Sequence, residues 1–524
     1  MDMKKRITAR EAAALIPDNA RIVFGGFLGY GCPEEVIRAI RTSFEETGHP
    51  KDLTLLKGVS IGDKGERGIN RLAAEGLLKC VICSHFGLEP DVAKMAAENK
   101  IFSYMLPLGT ITDWLRTIAS RKPGLITKTG LKTFVDPRIE GSKGNELTKE
   151  KGGDIVSLLE VDGEECLFYK TALLDACVIR GTYADEDGNI SMTREAIHGE
   201  QLEIAAATHS SGGIVIVQVE KIVSKGSIDP RDVKIHGFMV DYIVVAEPEN
   251  HPQTFTSNTY MPELTGDIRV PIDQFNSMPL NERKICGRRA ALELKKDTLV
   301  NLGIGMPDAV AAVAAEEGIF SRFTLSIESG VLGGVPLGGL ALGGSINPEA
   351  FYKMADILNV YDGGGLNMAV LGLAEMDEKG NLNVSKFNGK VVGPGGFINI
   401  SQPTPFVIFT GTFTAGKSDI RVENGKLHIV KDGAVLKFKR QVEQITFSGE
   451  MATKNKQKVM VVTERAVFLW TKDGLMLTEY APGVDVEKDI IGKMEFRPLI
   501  SPDLKEMDAA IFRNERMGQE RFMM

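Results

Sequence analysis

Cysteine is scarce in this chain, with six in 524 residues, and so loose a scatter cannot build a disulfide framework. KCVICSHFG, residues 79–87, brings Cys80, Cys83 and His85 together. No second ligand pair with zinc spacing accompanies them. VIC reads better as a buried strand, and no metal is expected. Long apolar runs are also missing: none reaches the roughly 18 residues of a membrane span. Arg10 and Glu11 interrupt what would be the apolar core of a signal peptide. The expected compartment is the cytoplasm, with no membrane partner. Charge of one sign is nowhere concentrated. The 62 basic and 70 acidic residues give a net charge of −8 without a block that would serve as a nucleic-acid arm. A nucleic-acid partner is excluded, whereas an anionic small molecule held by backbone amides is not. Aromatics are few, at 7%. Trp114 and Trp470 read as packing residues, and the dispersed His85, His198, His209 and His236 read as bystanders.

What the chain has in quantity is glycine, 56 residues, and a repeat. ITAREAAALIPDNARIVFGGFLGYGCPEEV, residues 7–36, has a shorter counterpart in ICGRRAALELKKDTLVNLGIGMPDAV, residues 285–310. Each reads as an Ala-rich helix, a charged turn, an apolar strand, a glycine loop ending G-x-P and a new helix. Pro33 and Pro307 suit a helix start, where a fixed φ helps and a missing N–H costs nothing. A second echo pairs ADEDGNISM (184–192) with MDEKGNLNV (376–384), turns built on Asp, Gly and Asn. Asp377, Glu378 and Lys379 read there as a solvated turn. The strands GGIVIVQV and TPFVIFTG follow at similar distances.

The repeats imply two tandem, similar α/β domains. A Pro-, Asn-, Ser- and Thr-rich stretch marks the join. The expected division is 1–260, a linker at 261–284, and 285–524. Residues 418–475 carry Asn-Gly and Asp-Gly turns between alternating strands. They predict an additional antiparallel β-rich segment in the second domain.

The glycine loops GGFLGYG (25–31) and NLGIGMP (301–307) sit where free amides can hold phosphate or developing negative charge. Neither fits the dinucleotide fingerprint or a P-loop. Tight turns without a ligand remain an equal reading of such loops. One carboxylate stands out. In TLSIESGVLGG, residues 324–334, Glu328 lies among apolar and glycine residues with no cation beside it. A poorly hydrated carboxylate is more nucleophilic, as covalent catalysis by Glu requires.

DNARIVFGGFLGYGCP (18–33), together with NLGIGMP, ESGVLGG, YDGGGL, GNLNVSKF and GPGGFINI in order, resembles the motifs of family I coenzyme A transferases across nearly the whole chain. The form ESG around Glu328, with FVDPR (134–138) and RGTYADEDGNI (180–190), looks most like the acetate/propionate type, which fuses the α- and β-subunits. The resemblance implies two similar α/β domains and a homo-oligomer, often a tetramer. It implies transfer of CoA between short-chain acyl-CoA and a free acid, with CoA as substrate and no cofactor. By the same resemblance Glu328 is the nucleophile that forms a glutamyl-CoA thioester, Gly395 and Gly396 supply oxyanion amides, and Gly303, Ile304, Gly305 and Met306 line the CoA site. Two positions depart from the pattern. Ile327-Glu328-Ser329-Gly330 replaces Ser-Glu-Asn-Gly, and Leu108 replaces a Gln, which removes one polar donor and suits either a slower enzyme or a more apolar acyl group. An acyl-CoA hydrolase on the same scaffold and a non-catalytic acyl-CoA-binding protein are the alternatives; the second has no need of Glu328.

Overall fold

The computed structural model describes residues 5–257, 259–271 and 278–522. The chain forms two compact units. The first comprises Met1–Arg269, Glu328–Asn359 and Phe387–Gly396; the second comprises Val270–Ile327, Val360–Lys386 and Phe397–Met524.

Eight strands build the main sheet of the first unit: β1 (Lys5–Arg6), β2 (Arg21–Phe24), β3 (Leu53–Lys57), β4 (Leu78–Cys83), β5 (Phe102–Met105), β6 (Ala176–Arg180), β7 (Ile214–Val219) and β8 (Tyr242–Val245). Their order is β1-β8-β7-β6-β2-β3-β4-β5, and every pairing is parallel. A parallel sheet is covered on both faces, so its strands are apolar throughout rather than alternating. Ile22, Val23, Phe24, Val178 and Val217 are accordingly buried. The covering helices include α1 (Ala9–Ala14), α2 (Glu34–Thr47), α3 (Pro90–Ala97), α4 (Leu108–Ala119) and α5 (Gln201–Ser211). Helix α1 starts on a capping box: Thr8 Oγ1 accepts from Glu11 N at 3.2 Å and Glu11 accepts from Thr8 N at 2.7 Å. A three-stranded antiparallel sheet of Gly124–Thr127, Val156–Val161 and Glu164–Lys170 is inserted between β5 and β6, where the repeat pattern gave no sign of one.

The second unit repeats the opening: helix α6 (Glu282–Ala291), strand β9 (Leu299–Leu302), a glycine loop and helix α7 (Ala309–Glu316). Strands β9, β10 (Thr324–Ser326), β11 (Met368–Gly372), β12 (Phe406–Thr410) and β13 (Lys458–Val462) pair in parallel in the order β10-β9-β11-β12-β13. Ala466–Thr471 and Gly474–Tyr480 then extend the sheet antiparallel.

The Asp-Gly-Asn echo is atomic. Asp185 Oδ1 accepts from Asn189 N at 2.9 Å, and Asp377 Oδ1 accepts from Asn381 N at 2.9 Å. The two asparagines in turn receive Gly237 N at 3.0 Å and Gly449 N at 3.1 Å. One correction follows, because Asp377 is buried by these bonds, while only Glu378 and Lys379 face solvent.

The β-rich tail is partly as expected. Asp419–Glu423 and Lys426–Lys431 form a hairpin across Asn-Gly. Phe438–Lys439, however, pairs in parallel with Glu375–Asp377, and β13 pairs in parallel with β12. Local turn chemistry specifies hairpins, not the distant strands that the sheet adds.

The two units are not continuous in sequence. Residues 272–277 of the expected linker lie outside the described residues, and two segments after residue 285 belong to the first unit.

A buried ion pair anchors the loops that leave β3 and β4. Lys57 Nζ contacts Glu89 at 3.2 Å, with both side chains fully buried, and also donates to His85 O at 2.8 Å. Lys57→Met would leave Glu89 buried and unpaired, and should cost about 3–5 kcal/mol of stability. Thermal unfolding checks this, and adding Glu89→Leu should restore most of the loss.

Candidate active site

Parallel sheets offer ligand sites beyond the carboxyl ends of their strands. In the first unit that edge is built from Gly25 after β2, Gly58 after β3, Ser84 after β4, Leu106–Leu108 after β5 and Gly181 after β6. The two later segments of this unit dock here.

The segment Phe387–Gly396 is tied by Phe86 N to Val392 O at 2.8 Å, Gly395 N to Ser84 O at 2.9 Å, and Leu108 N to Gly395 O at 3.0 Å. Gly393 has φ +95°, and a Cβ there would overlap Met105 Cε and Ser84 O. Of the two glycines expected to supply amides, Gly396 N–H donates to no protein acceptor among the described residues, whereas Gly395 N–H is engaged by Ser84.

The segment Glu328–Asn359 is held as firmly. Ser329 Oγ donates to Gly343 O at 2.7 Å, Tyr352 N to Gly330 O at 2.7 Å, and Met354 N to Gly199 O at 3.1 Å. Arg116 of α4 pairs with Asp356, and Asn359 donates to Asp113 at 3.0 Å. Gly330 sits at φ +102°, where a Cβ would overlap Tyr352 O. Glycine there is required both by conformation and by space.

Glu328 stands two residues beyond β10, at the start of this turn. It has neither an ion-pair nor a side-chain hydrogen-bond partner among the described residues. Its residue surface is partly accessible, yet its carboxyl is densely surrounded, and burial raises its pKa above the ordinary 4.5. Access and surroundings are separate quantities: the first lets a substrate reach the carboxylate, and the second leaves its charge poorly solvated.

The two glycine loops of the repeat diverge. Residues 25–31 are buried, and Gln201 fills the space where a Cβ of Gly25 would be, so this loop is a packed turn. In the second unit, Gly303 N donates to Val370 O at 2.8 Å, but the Ile304, Gly305 and Met306 amides donate to no protein acceptor among the described residues. Ile304 is 58% exposed, and Gly305 has φ +84° with open space at its Cβ position. An apolar side chain beside free amides can hold a ligand that is part apolar and part anionic.

Sequence reasoning missed Ser84, which fixes the Gly395 loop, and Glu200, a buried carboxyl in the first unit. Glu200 precedes the helix pattern QLEIAAA, so in the sequence it looks like an ordinary acidic residue at a helix start.

Comparison with known proteins gives the family of this fold. Residues 6–246 match the family model described as Coenzyme A transferase, and the full-length relatives show that this chain belongs to the family, in its single-chain family I form. It is 45% identical over 526 residues to a caffeate CoA-transferase of Acetobacterium woodii, covering 99% of this chain and all of the relative. It is 42% identical to the acetate CoA-transferase YdiF of Escherichia coli, covering 98% and 96%. The YdiF structure described as a thioester complex with CoA superposes with a TM-score of 0.92 at 40% identity, covering 98% of this chain and 97% of that one. No helix among the described residues is long and apolar enough to cross a membrane.

Proposed function

We propose that this CoA-transferase moves CoA between a short-chain acyl-CoA and a free carboxylic acid of the acetate, propionate and butyrate class. The route is a glutamyl-CoA thioester on Glu328. The observation that carries the reading is Glu328 itself: a partly accessible carboxylate without a cation partner among the described residues, held by a glycine turn at the end of a parallel strand.

The Glu328 carboxylate attacks the thioester carbonyl and expels CoA thiolate, leaving an acyl-glutamyl anhydride. The thiolate then attacks the glutamyl carbonyl, so that a glutamyl-CoA thioester remains and the first acid leaves. A second carboxylate reverses the sequence. Each attack passes through a tetrahedral oxyanion, and one well-placed amide is worth roughly 3 kcal/mol to it. Gly396 N–H is free for that role, and Gly395 N–H serves once its bond to Ser84 is released. The exposed loop at Gly303–Met306 takes part of CoA. One thioester replaces another, so no other energy source is needed. The YdiF thioester complex and the acetate and caffeate transferases support the chemistry and leave the acid open.

The test is the intact mass of the protein after incubation with acetyl-CoA alone, followed by peptide mapping. A CoA-sized adduct on the peptide holding Glu328 is expected. Rapid CoA release with no adduct and no transfer would mean hydrolysis instead. Parallel assays with acetate, propionate, butyrate and caffeate as acceptors set the acid class. Preference for butyrate over acetate is expected from the buried Leu108, and preference for caffeate would overturn the short-chain assignment.

The adduct should also report the charge of Glu328. Only the carboxylate attacks, and its pKa is raised. The rate of adduct formation should therefore fall away, as pH is lowered, above the ordinary glutamate value of 4.5. A rate flat down to that value would show a well-solvated carboxylate.

A further inference from the structure

The carboxyl of Glu200 has no part in the chemistry above. It is fully buried, and neither of its oxygens has a hydrogen-bond partner among the described residues. It precedes α5 without capping it. A polar group sealed away from water without a partner is costly, and proteins keep such groups chiefly where a ligand or water completes them.

Its surroundings place it beside the site. A Cβ at Gly58 would lie 2.8 Å from Glu200 Oε1 and 3.2 Å from Leu108 Cδ1, so the carboxyl and the leucine together fill the space over this glycine. Gly58 O accepts from Ser84 N and Oγ, both at 2.9 Å, and Ser84 O and Leu108 N hold Gly395. On the other side Gly199 O, one residue away, receives Met354 N from the segment that carries Glu328. The backbone next to Glu200 thus bonds the segment that carries Glu328, and the residues its carboxyl packs against bond the Gly395–Gly396 loop, all within the first unit.

Resting on the transferase reading above, we infer that Glu200 recognises the free-acid substrate: its O–H donates to one carboxylate oxygen of the acid, and Leu108 bounds the alkyl chain. No proton is transferred. An ionised glutamate at this position would repel the incoming carboxylate, whereas a neutral one makes a short, charge-assisted bond. Burial pushes the Glu200 pKa up to about 8. The groups around it do not reverse this: its own backbone amide and Lys57, which pairs with Glu89, pull the pKa down, but burial outweighs them and Glu203, paired with Arg116, adds to it. The acid enters by rotation of the Leu108 side chain, since Gly58 has no side chain to move.

Full-length enzyme assayed with acetyl-CoA and propionate tests this through KM and kcat separately. Glu200→Ala should raise KM for propionate about tenfold or more, the usual cost of losing a hydrogen bond to a charged group. The change in kcat should be far smaller. Glu200→Gln keeps a neutral donor and should recover most of that loss. In the native enzyme KM for propionate should rise as pH passes about 8, where Glu200 ionises, and in Glu200→Gln that rise should vanish. An unchanged KM for propionate in Glu200→Ala overturns the inference, as does a loss of kcat and thermal stability together that Gln does not rescue. The CoA adduct on Glu328 is read in the same samples. Its absence from the native enzyme would overturn the transferase mechanism itself, a result distinct from an adduct that forms while KM stays flat.

Discussion

Glu328→Ala should lose CoA transfer by a factor on the order of 10^4 or more, the scale seen when a covalent nucleophile is removed from an otherwise intact site. The same variant should show no CoA-sized mass adduct. It should not unfold earlier than the native protein. The folded-state pKa of Glu328 is raised above its unfolded value, so the charged side chain favours the unfolded state once pH exceeds that unfolded value. Removing it takes away that penalty at neutral pH. Transfer and adduct are measured by an acetyl-CoA and propionate assay and by mass, stability by thermal unfolding. Retained turnover in Glu328→Ala would end the glutamyl mechanism. Lost turnover with an early melt would mean that the variant damaged the fold and not the chemistry alone.

Gly330→Ala should be nearly as damaging for a different reason. Its φ of +102° is poorly tolerated by an L side chain, and the new Cβ would overlap Tyr352 O. Backbone strain of this kind costs about 1–3 kcal/mol before the overlap is counted. Relief requires the 2.7 Å bond from Tyr352 N to Gly330 O to lengthen, and Glu328 then moves with its turn. Displacing a reacting group by about 1 Å can cost roughly a hundredfold in rate. A fall in kcat/KM of that size is therefore expected, with a lower melting temperature. Gly338→Ala is the control in the same segment. Gly338 has φ −108°, and a Cβ there would meet nothing within 4 Å. Equal effects of the two substitutions would show that the segment tolerates no side chain anywhere, which would remove the specific case for Gly330.

The sequence alone determined what is local. The family was legible because its glycine motifs fall at strand ends, where backbone conformation and close approach demand that residue. The duplication was legible because helix, strand and glycine loop recur within about thirty residues, and because Asp185 with Asn189, and Asp377 with Asn381, close their turns over four residues. Glu328 drew attention for an equally local reason, a charge with only apolar and glycine neighbours along the chain.

Only the tertiary structure decided which distant groups share an environment. Nothing in GPGG reveals that Gly395 N–H is spent on Ser84, more than three hundred residues earlier, while Gly396 N–H is left over. Nothing in IHGEQLEIAAA separates Glu200 from a solvated helix-start glutamate, since the groups that pack around it, Gly58 and Leu108 among them, come from distant parts of the chain. Asp377 looked solvated for the same reason. The grouping of Glu328–Asn359 and Phe387–Gly396 with the first unit likewise rests on bonds from Met354, Val392 and Gly395. Periodicity and turn chemistry act over a few residues and so are written in the order of the chain. Desolvation and hydrogen-bond satisfaction depend on what packs from elsewhere, and that is fixed only when the chain has folded.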